Sequence, residues 1–345
     1  MNKLRWGILG AAGIARKNWK AILNSGNGVI TAVASRDLAR AREFIAGCQA
    51  TDPFERAPRA LGGYEELLAA PDVDAVYVPL PTGLRQPWVV RAAQAGKHVL
   101  CEKPCGTSVA GVQEMIEACR RQRVQFMDGV MFMHNPRLER LRAVLDDGKS
   151  VGQLRRVTSQ FSFLGHENFQ QTNIRANPAL EPLGCLGDLG WYCVRFALWL
   201  RHWEMPREVR GRILSEFAGA PGTPSVPSEF SGELVFNGGV SAHFYCSFLT
   251  GLRQWADISG EKGSLRVPDF VLPAVGSDFD FELNGAKQTQ PPAAPADTQA
   301  ARMFHNFATQ AASGILNDAW PEWALKTQIV TNALFDQTQL APKAT

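Results

Sequence analysis

Three short stretches of the 345-residue chain carry side chains able to do chemistry. The first is Cys101-Glu102-Lys103-Pro104, which closes a short apolar run. A lysine partly desolvated at a strand end has a lowered pKa. It can therefore exchange protons near neutral pH with a hydroxyl or carbonyl held beside it. The second is Gly184-Cys185-Leu186-Gly187-Asp188-Leu189-Gly190-Trp191-Tyr192, where Asp188 and Tyr192 stand four apart. On a helix such residues share a face, one turn from each other. A tyrosine hydroxyl is a proton donor to a carbonyl receiving a hydride, and a lysine cation with a placed carboxylate tunes and orients such a site.

The third stretch is Gly10-Ala11-Ala12-Gly13-Ile14-Ala15, a variant of G-x-G-x-x-G/A read as Gly10, Ala12 and Ala15. Gly10 permits the tight turn, a small residue at 12 lets backbone N–H groups approach a pyrophosphate, and Ala15 allows close helix–strand packing. Gly13 is expected to offset the Ala12 methyl by freeing the loop backbone. A second strand ends at Ser35-Arg36, with Arg40 one turn further on. An NAD site places an acid there for the ribose hydroxyl. A hydroxyl with paired guanidinium donors instead suits a 2′-phosphate, so NADP is expected, with NAD as the alternative. Asp37 falls too late for the acidic role and is expected to cap the next helix. Each stretch also has a plain structural reading: a solvated arginine face, a surface lysine, an aspartate cap with a buried tyrosine.

The elements that must position these groups follow from the apolar pattern. Runs at Leu4–Leu9, Val29–Ser35, Val73–Pro79, His98–Cys101 and Val124–Phe132 read as strands. They alternate with helical stretches at Ile14–Leu23, Asp37–Ala46, Gln86–Ala95 and Ser108–Arg123. Continuous rather than alternating apolar strands between helices imply a parallel sheet covered on both faces, hence an α/β doubly wound (Rossmann) domain over residues 1–130. After a helix at Pro136–Asp146 the period changes to two. Strands are expected at Arg156–Phe163, Glu229–Phe236, Val240–Phe248 and Gln254–Ser259, with a hairpin turn at Asn237-Gly238-Gly239. A helix from about Gly187 to Leu200 interrupts them. A loop at Asn284–Ala296 precedes two final helices, Ala301–Ser313 and Glu322–Gln339. Residues 131–345 thus read as an α+β domain with a large, mainly antiparallel open sheet, for substrate binding and oligomerisation.

Composition narrows the function. The formal charge of +3 is spread along the chain, so no clustered basic face offers itself to nucleic acid. Seven cysteines form no C-x-x-C pair and the histidines lie far apart, which argues against a disulfide scaffold or a metal site. The most apolar stretch, Trp191 to Leu200, is short and broken by Arg195, so no membrane span is expected. The apolar N-terminal run is interrupted by glycines and reads as a first buried strand rather than a signal peptide. A cytoplasmic location follows as the expectation.

Taken together, the first strand with Gly10, the Glu102-Lys103-Pro104 triplet and the Asp188-x-Gly-x-Tyr192 element resemble the glucose–fructose oxidoreductase/inositol dehydrogenase/MocA (Gfo/Idh/MocA) family. The resemblance covers nearly the whole chain. Tyr77-Val78-Pro79-Leu80-Pro81-Thr82 and Met127-Asp128-Gly129-Val130-Met131 are similar to the branch holding dimeric dihydrodiol dehydrogenase and sugar oxidoreductases. The resemblance implies reversible hydride transfer between NAD(P) and a sugar, polyol or diol-like compound. It also implies a homodimer or homotetramer formed through the second-domain sheet. It makes Lys103 the family lysine, Tyr192 the general acid/base and Asp188 the supporting carboxylate. Pro79, Leu80, Pro81 and Glu102 join Lys103 at the cofactor. Arg175, His166 and Asn173, in the loop before the helix, are expected at the substrate. Where the family often reads Pro-Asn-x-x-His, this chain reads Pro81-Thr82-Gly83-Leu84-Arg85; Ala12 is a second departure. A glucose-6-phosphate dehydrogenase shares only the Glu-Lys-Pro triplet and lacks support elsewhere. A non-catalytic NAD(P)-binding regulator or scaffold of the same fold is the alternative function.

Overall fold

The computed structural model describes residues 3–219, 222–273, 280–290 and 297–340. The chain divides into two compact units. One is Met1–Gly106 with Ala110–His134 and Ala293–Ala324; the other is Thr107–Val109 with Asn135–Pro292 and Leu325–Thr345.

In the first unit, strands β1 (Leu4–Leu9), β2 (Gly28–Ala34), β3 (Arg59–Leu61), β4 (Ala75–Val78), β5 (His98–Cys101) and β6 (Phe126–Asp128) form a sheet ordered β3-β2-β1-β4-β5-β6. All its pairings are parallel. Helices α1 (Gly13–Asn24), α2 (Leu38–Thr51), α3 (Tyr64–Ala69), α4 (Arg85–Gln94) and α5 (Val109–Arg121) link the strands. In α1, Ala15, Asn18, Trp19 and Ile22 repeat at three and four residues and form the buried stripe. Strand β4 is buried at every position, as a sheet covered on both faces requires. The strand order reverses between β1 and β4, which opens the crevice beyond their carboxyl ends where this fold takes its ligands.

Three expectations for this unit need correction. The short pair β3 and α3 went unread, because Arg59–Leu61 offers only three residues of strand pattern. The expected strand Val124–Phe132 is confined to β6, and a 3-10 turn takes over at Met131–His134. Most consequentially, a single cut at residue 130 does not describe the unit, because the helix Gln299–Ser313 returns to it. Phe304 meets the Trp6 indole edge-on at 5.2 Å and Phe307 lies 5.1 Å from the same ring. These rings join Trp6, Ile8, Trp19, Ile30 and Tyr77 in one buried cluster.

In the second unit, α6 (Arg137–Asp146) leads to β7 (Leu154–Ser162). The short α7 (Phe169–Thr172) and then α8 (Trp191–Leu200) precede seven further strands. These are β8 (Glu208–Phe217), β9 (Val226–Val235), β10 (Ser241–Ser247), β11 (Ala256–Gly260), β12 (Ser264–Val267), β13 (Phe281–Leu283) and β14 (Ala286–Gln288). The sheet runs β14-β13-β12-β11-β7-β10-β9-β8 and is antiparallel except for β7 beside β10. The expected turn joins β9 to β10 through Gly238 and Gly239, both at positive φ (70° and 75°). The expected loop from Asn284 instead contains β14; its residues 291–296 lie outside the described residues.

One sheet face packs under α8. The other carries a single cross-strand row: Arg210, Glu233, His243, Thr158, Asp257, Arg266, Glu282 and Lys287. These side chains are half-buried or exposed. Strand β8 escaped the sequence reading because its inward face includes Gly211 and Ser215 among the apolar residues. The glycine is required: a Cβ there would stand 2.0 Å from the Leu334 carbonyl oxygen, a backbone atom that cannot swing aside. Gly211→Ala should therefore lower stability by about 2 kcal/mol, within the range for overpacked sites, with the urea midpoint as the measurement. An unshifted midpoint would mean the helix backbone gives way freely.

Candidate active site

Strand β1 delivers the chain to Gly10 at φ +110°, a conformation that favours glycine. The Gly10 amide donates to the Ala34 carbonyl at 2.8 Å, and a Cβ would stand 3.1 Å from the Leu80 side chain. Helix α1 then starts at Gly13. Ala12 precedes it in extended conformation and no side chain caps the helix, so its first-turn N–H groups suit an anionic ligand. Ala11 and Ala12 are half-buried, Gly13 and Ile14 exposed, and Ala15 is packed inside. Gly13 does not use its conformational freedom: it has no positive φ, and its Cβ position is open.

At the end of β2, Ser35 is buried and its hydroxyl accepts the Asp37 amide at 3.3 Å. Asp37 caps α2 through the Ala39 amide at 2.8 Å, as expected. Arg36 and Arg40 are exposed, and both bear on the phenol of Tyr64. Burial pushes the Tyr64 pKa up, while the two guanidinium groups pull it down. The same phenol lies 3.7 Å from the Cβ position of Gly10. The turn after β1 and the arginines after β2 thus border one patch, linked by a tyrosine that sequence reasoning missed. The aromatic residue opening α3 after Gly62-Gly63 was the available signal.

Strand β5 ends at Cys101, and Glu102 turns inward. Its carboxylate accepts the Tyr77 hydroxyl at 2.6 Å and the Asn18 amide at 3.2 Å on one oxygen, and the Lys103 amide at 3.2 Å on the other. Asn18 also donates to the Tyr77 oxygen at 2.6 Å. Burial, then the Glu102 charge, holds the Tyr77 pKa well above its ordinary value, so this phenol remains a donor. Lys103 itself is half-buried. Pro79 and Leu80 are buried and Pro81 half-buried beyond β4.

In the second unit, Asp188 does not sit in a continuous α-helix. A π-helical turn spans Leu186–Gly190 and α8 starts at Trp191, so the expected α-helical phase between Asp188 and Tyr192 is corrected here. Such turns widen a helix by one residue and recur at functional sites. Gly190 permits the tight packing, since a Cβ would stand 2.9 Å from Leu186 Cδ1 and 3.3 Å from Cys246 Sγ. Asp188 is buried and pairs with Arg175, Nε to Oδ2 at 2.6 Å. Asp188 raises the Arg175 pKa, with smaller contributions from Glu181 and Tyr192. Asn173 caps the short turn Ile174–Ala176 by accepting the Arg175 amide at 3.1 Å. Tyr192 is buried, its ring edge-on to Phe161 at 5.5 Å. The structure thus brings Arg175, Asn173, Asp188 and Tyr192 into one group. His166 is exposed, and its ring packs on Phe169 at 5.5 Å instead.

Among the described residues no group of three or more His, Cys, Asp or Glu side chains could hold a metal ion, and no helix is long and apolar enough to cross a membrane. All seven cysteines are buried free thiols. The positive-φ turn at Gly10 and the uncapped start of α1 fit the pyrophosphate of a dinucleotide.

Residues 4–130 match the model of an oxidoreductase family with an NAD-binding Rossmann fold, GFO_IDH_MocA, and residues 138–266 match the GFO/IDH/MocA C-terminal domain. The chain is 34% identical to the trans-1,2-dihydrobenzene-1,2-diol dehydrogenase of Mus musculus, over 82% of this chain and 84% of that protein. It is 30% identical to the dTDP-3,4-didehydro-2,6-dideoxy-alpha-D-glucose 3-reductase of Saccharopolyspora spinosa, over 90% and 88% respectively. Among solved structures, the 3-ketoreductase KijD10 of Actinomadura kijaniata, crystallised with NADP and TDP-benzene, superposes with a TM-score of 0.80. It is 25% identical over 98% of both chains.

Proposed function

The chain belongs to the GFO/IDH/MocA oxidoreductase family, with its NAD-binding Rossmann fold, and from that premise we propose an NADP-dependent enzyme that interconverts a carbonyl and an alcohol on a sugar, polyol or diol-like substrate. NADP(H), when bound, supplies or accepts the hydride. Gly10, Ala11, Ala12, Gly13 and Ile14 would hold its pyrophosphate, with Ala15 packing behind them. Ser35, Arg36 and Arg40 would hold the ribose 2′-phosphate. Pro79, Leu80, Pro81, Glu102 and Lys103 would border the nicotinamide side. In the reducing direction Tyr192 gives the proton to the substrate oxygen and Lys103 polarises that oxygen. Asp188, neutralised by Arg175, keeps the tyrosine's surroundings fixed. Arg175 and Asn173 are the substrate contacts in this reading. His166, which packs on Phe169, joins them only as part of the same loop.

The observation that carries the NADP choice is the placement of Arg36 and Arg40 around Tyr64 at the end of β2. The only nearby acid in that turn, Asp37, is engaged in capping α2. Replacing both arginines by alanine should weaken NADPH binding about tenfold to a hundredfold and leave NADH nearly unchanged, given the strength of charge-assisted hydrogen bonds. Nicotinamide fluorescence titrations measure this, and equal losses for the two cofactors would reverse the assignment. Function is tested by following nicotinamide absorbance with NADP⁺ and trans-1,2-dihydrobenzene-1,2-diol, and with NADPH and a panel of aldoses and keto sugars. Tight NADPH binding without turnover across the panel would favour the regulator reading.

The same proposal has two or four copies associate through the open face of the eight-stranded sheet. Support comes from the alternation of charge along the row from Arg210 to Lys287, where a copy rotated by a half-turn can set opposite signs against each other. A solution mass two or four times that of one chain is expected.

A further inference from the structure

We propose that Arg85 is a positioning residue for Lys103, acting as a clamp on the main chain at both sides of the lysine. The inference rests on the role given to Lys103 above. Arg85 stands where the family pattern often has histidine, at the first position of α4. It is 5% exposed, so its charge is withdrawn from water. Its described hydrogen bonds go to main-chain carbonyls rather than to a carboxylate. Nε donates to Leu80 O at 2.6 Å, while Nη1 donates to Glu102 O at 3.0 Å and also to Pro104 O.

The choice of acceptors is informative. Glu102 and Pro104 flank Lys103, and one guanidinium nitrogen holds both of their carbonyls. The Lys103 amide between them is held by the Glu102 carboxylate, which Tyr77 and Asn18 in turn hold. Main-chain groups of residues 102, 103 and 104 are therefore each tied down, and with them the direction in which the lysine side chain leaves. The third acceptor, Leu80 O, belongs to the segment after β4. The planar fork thus joins the ends of β4 and β5 at fixed spacing, which a single-point ammonium would not reproduce. A histidine has too few donors to bond all three carbonyls.

The test uses the full-length chain labelled with ¹⁵N-lysine, with the Lys103 amide assigned by its loss in Lys103→Arg. In Arg85→Met the Lys103 resonance should move or broaden while lysines remote from the site keep their positions. NADPH affinity should stay within about threefold while turnover of NADP⁺ with trans-1,2-dihydrobenzene-1,2-diol falls on the order of a hundredfold, the scale of a slightly misplaced reacting group. A folded Arg85→Met with an unmoved Lys103 amide overturns the proposal. So does a loss of turnover that merely follows a loss of NADPH affinity. Should Arg85→Met not fold, Arg85→Gln, which keeps a donor for one carbonyl, is judged by the same resonance. A wild-type chain inert with the diol and with the sugar panel, or a Lys103→Met variant of unchanged rate, sinks the catalytic reading instead; the amide still decides the clamp.

Discussion

Tyr192→Phe should bind NADPH as the parent does and transfer hydride about a hundredfold to ten-thousandfold more slowly, the usual worth of a positioned proton donor. The substitution is clean for a physical reason. Tyr192 is 5% exposed and its ring meets Phe161 edge-on, so phenylalanine fills the same volume and keeps the ring contact. Arg175 and Asp188 also hold each other directly, Nε to Oδ2 at 2.6 Å. The loss should therefore sit in the chemical step. Single-turnover absorbance of the nicotinamide, with reagents in excess, isolates that step from cofactor release. A single-turnover rate equal to the parent's removes Tyr192 from the mechanism.

Lys103→Met is expected to cost about a hundredfold to a thousandfold in the same step, the range found when one preorganised donor to a developing oxyanion is deleted. Methionine keeps a flexible apolar stem, and the main chain around it retains its own ties: the Glu102 carboxylate on the 103 amide, and Arg85 on the flanking carbonyls. Structure should survive, and thermal midpoint and NADPH affinity should change little. The sharper readout is the single-turnover rate set beside NADPH affinity. A single-turnover rate equal to the parent's contradicts the assignment.

How far these residues could be read in advance depended on the range of the interaction involved. Lys103 was legible because an apolar run ending in Glu-Lys-Pro marks a strand end, and parallel sheets take ligands at such ends. Gly10 was legible because a tight turn after β1 needs positive φ, which the structure has. The partner of Asp188 was not legible. Arg175 lies thirteen residues away in a polar loop whose path no local propensity sets, and it could be named only as a substrate contact. Nor could the helix phase at Tyr192 be read, since a π-helical turn leaves little trace beyond the spacing of Gly184, Gly187 and Gly190. The role of Tyr64 depends on two arginines some 25 residues upstream meeting it in space.

The return of the helix Gln299–Ser313 to the first sheet has a consequence for biosynthesis. Trp6 is made about 300 residues before Phe304 and Phe307, whose rings enclose it. At roughly 5–20 residues per second that is a wait of ~15–60 s, during which the nascent nucleotide-binding half has an unfinished, apolar flank. Such a flank is a natural client surface for chaperones that act on growing chains. Expression from a gene cut after codon 130 would make that temporary state permanent.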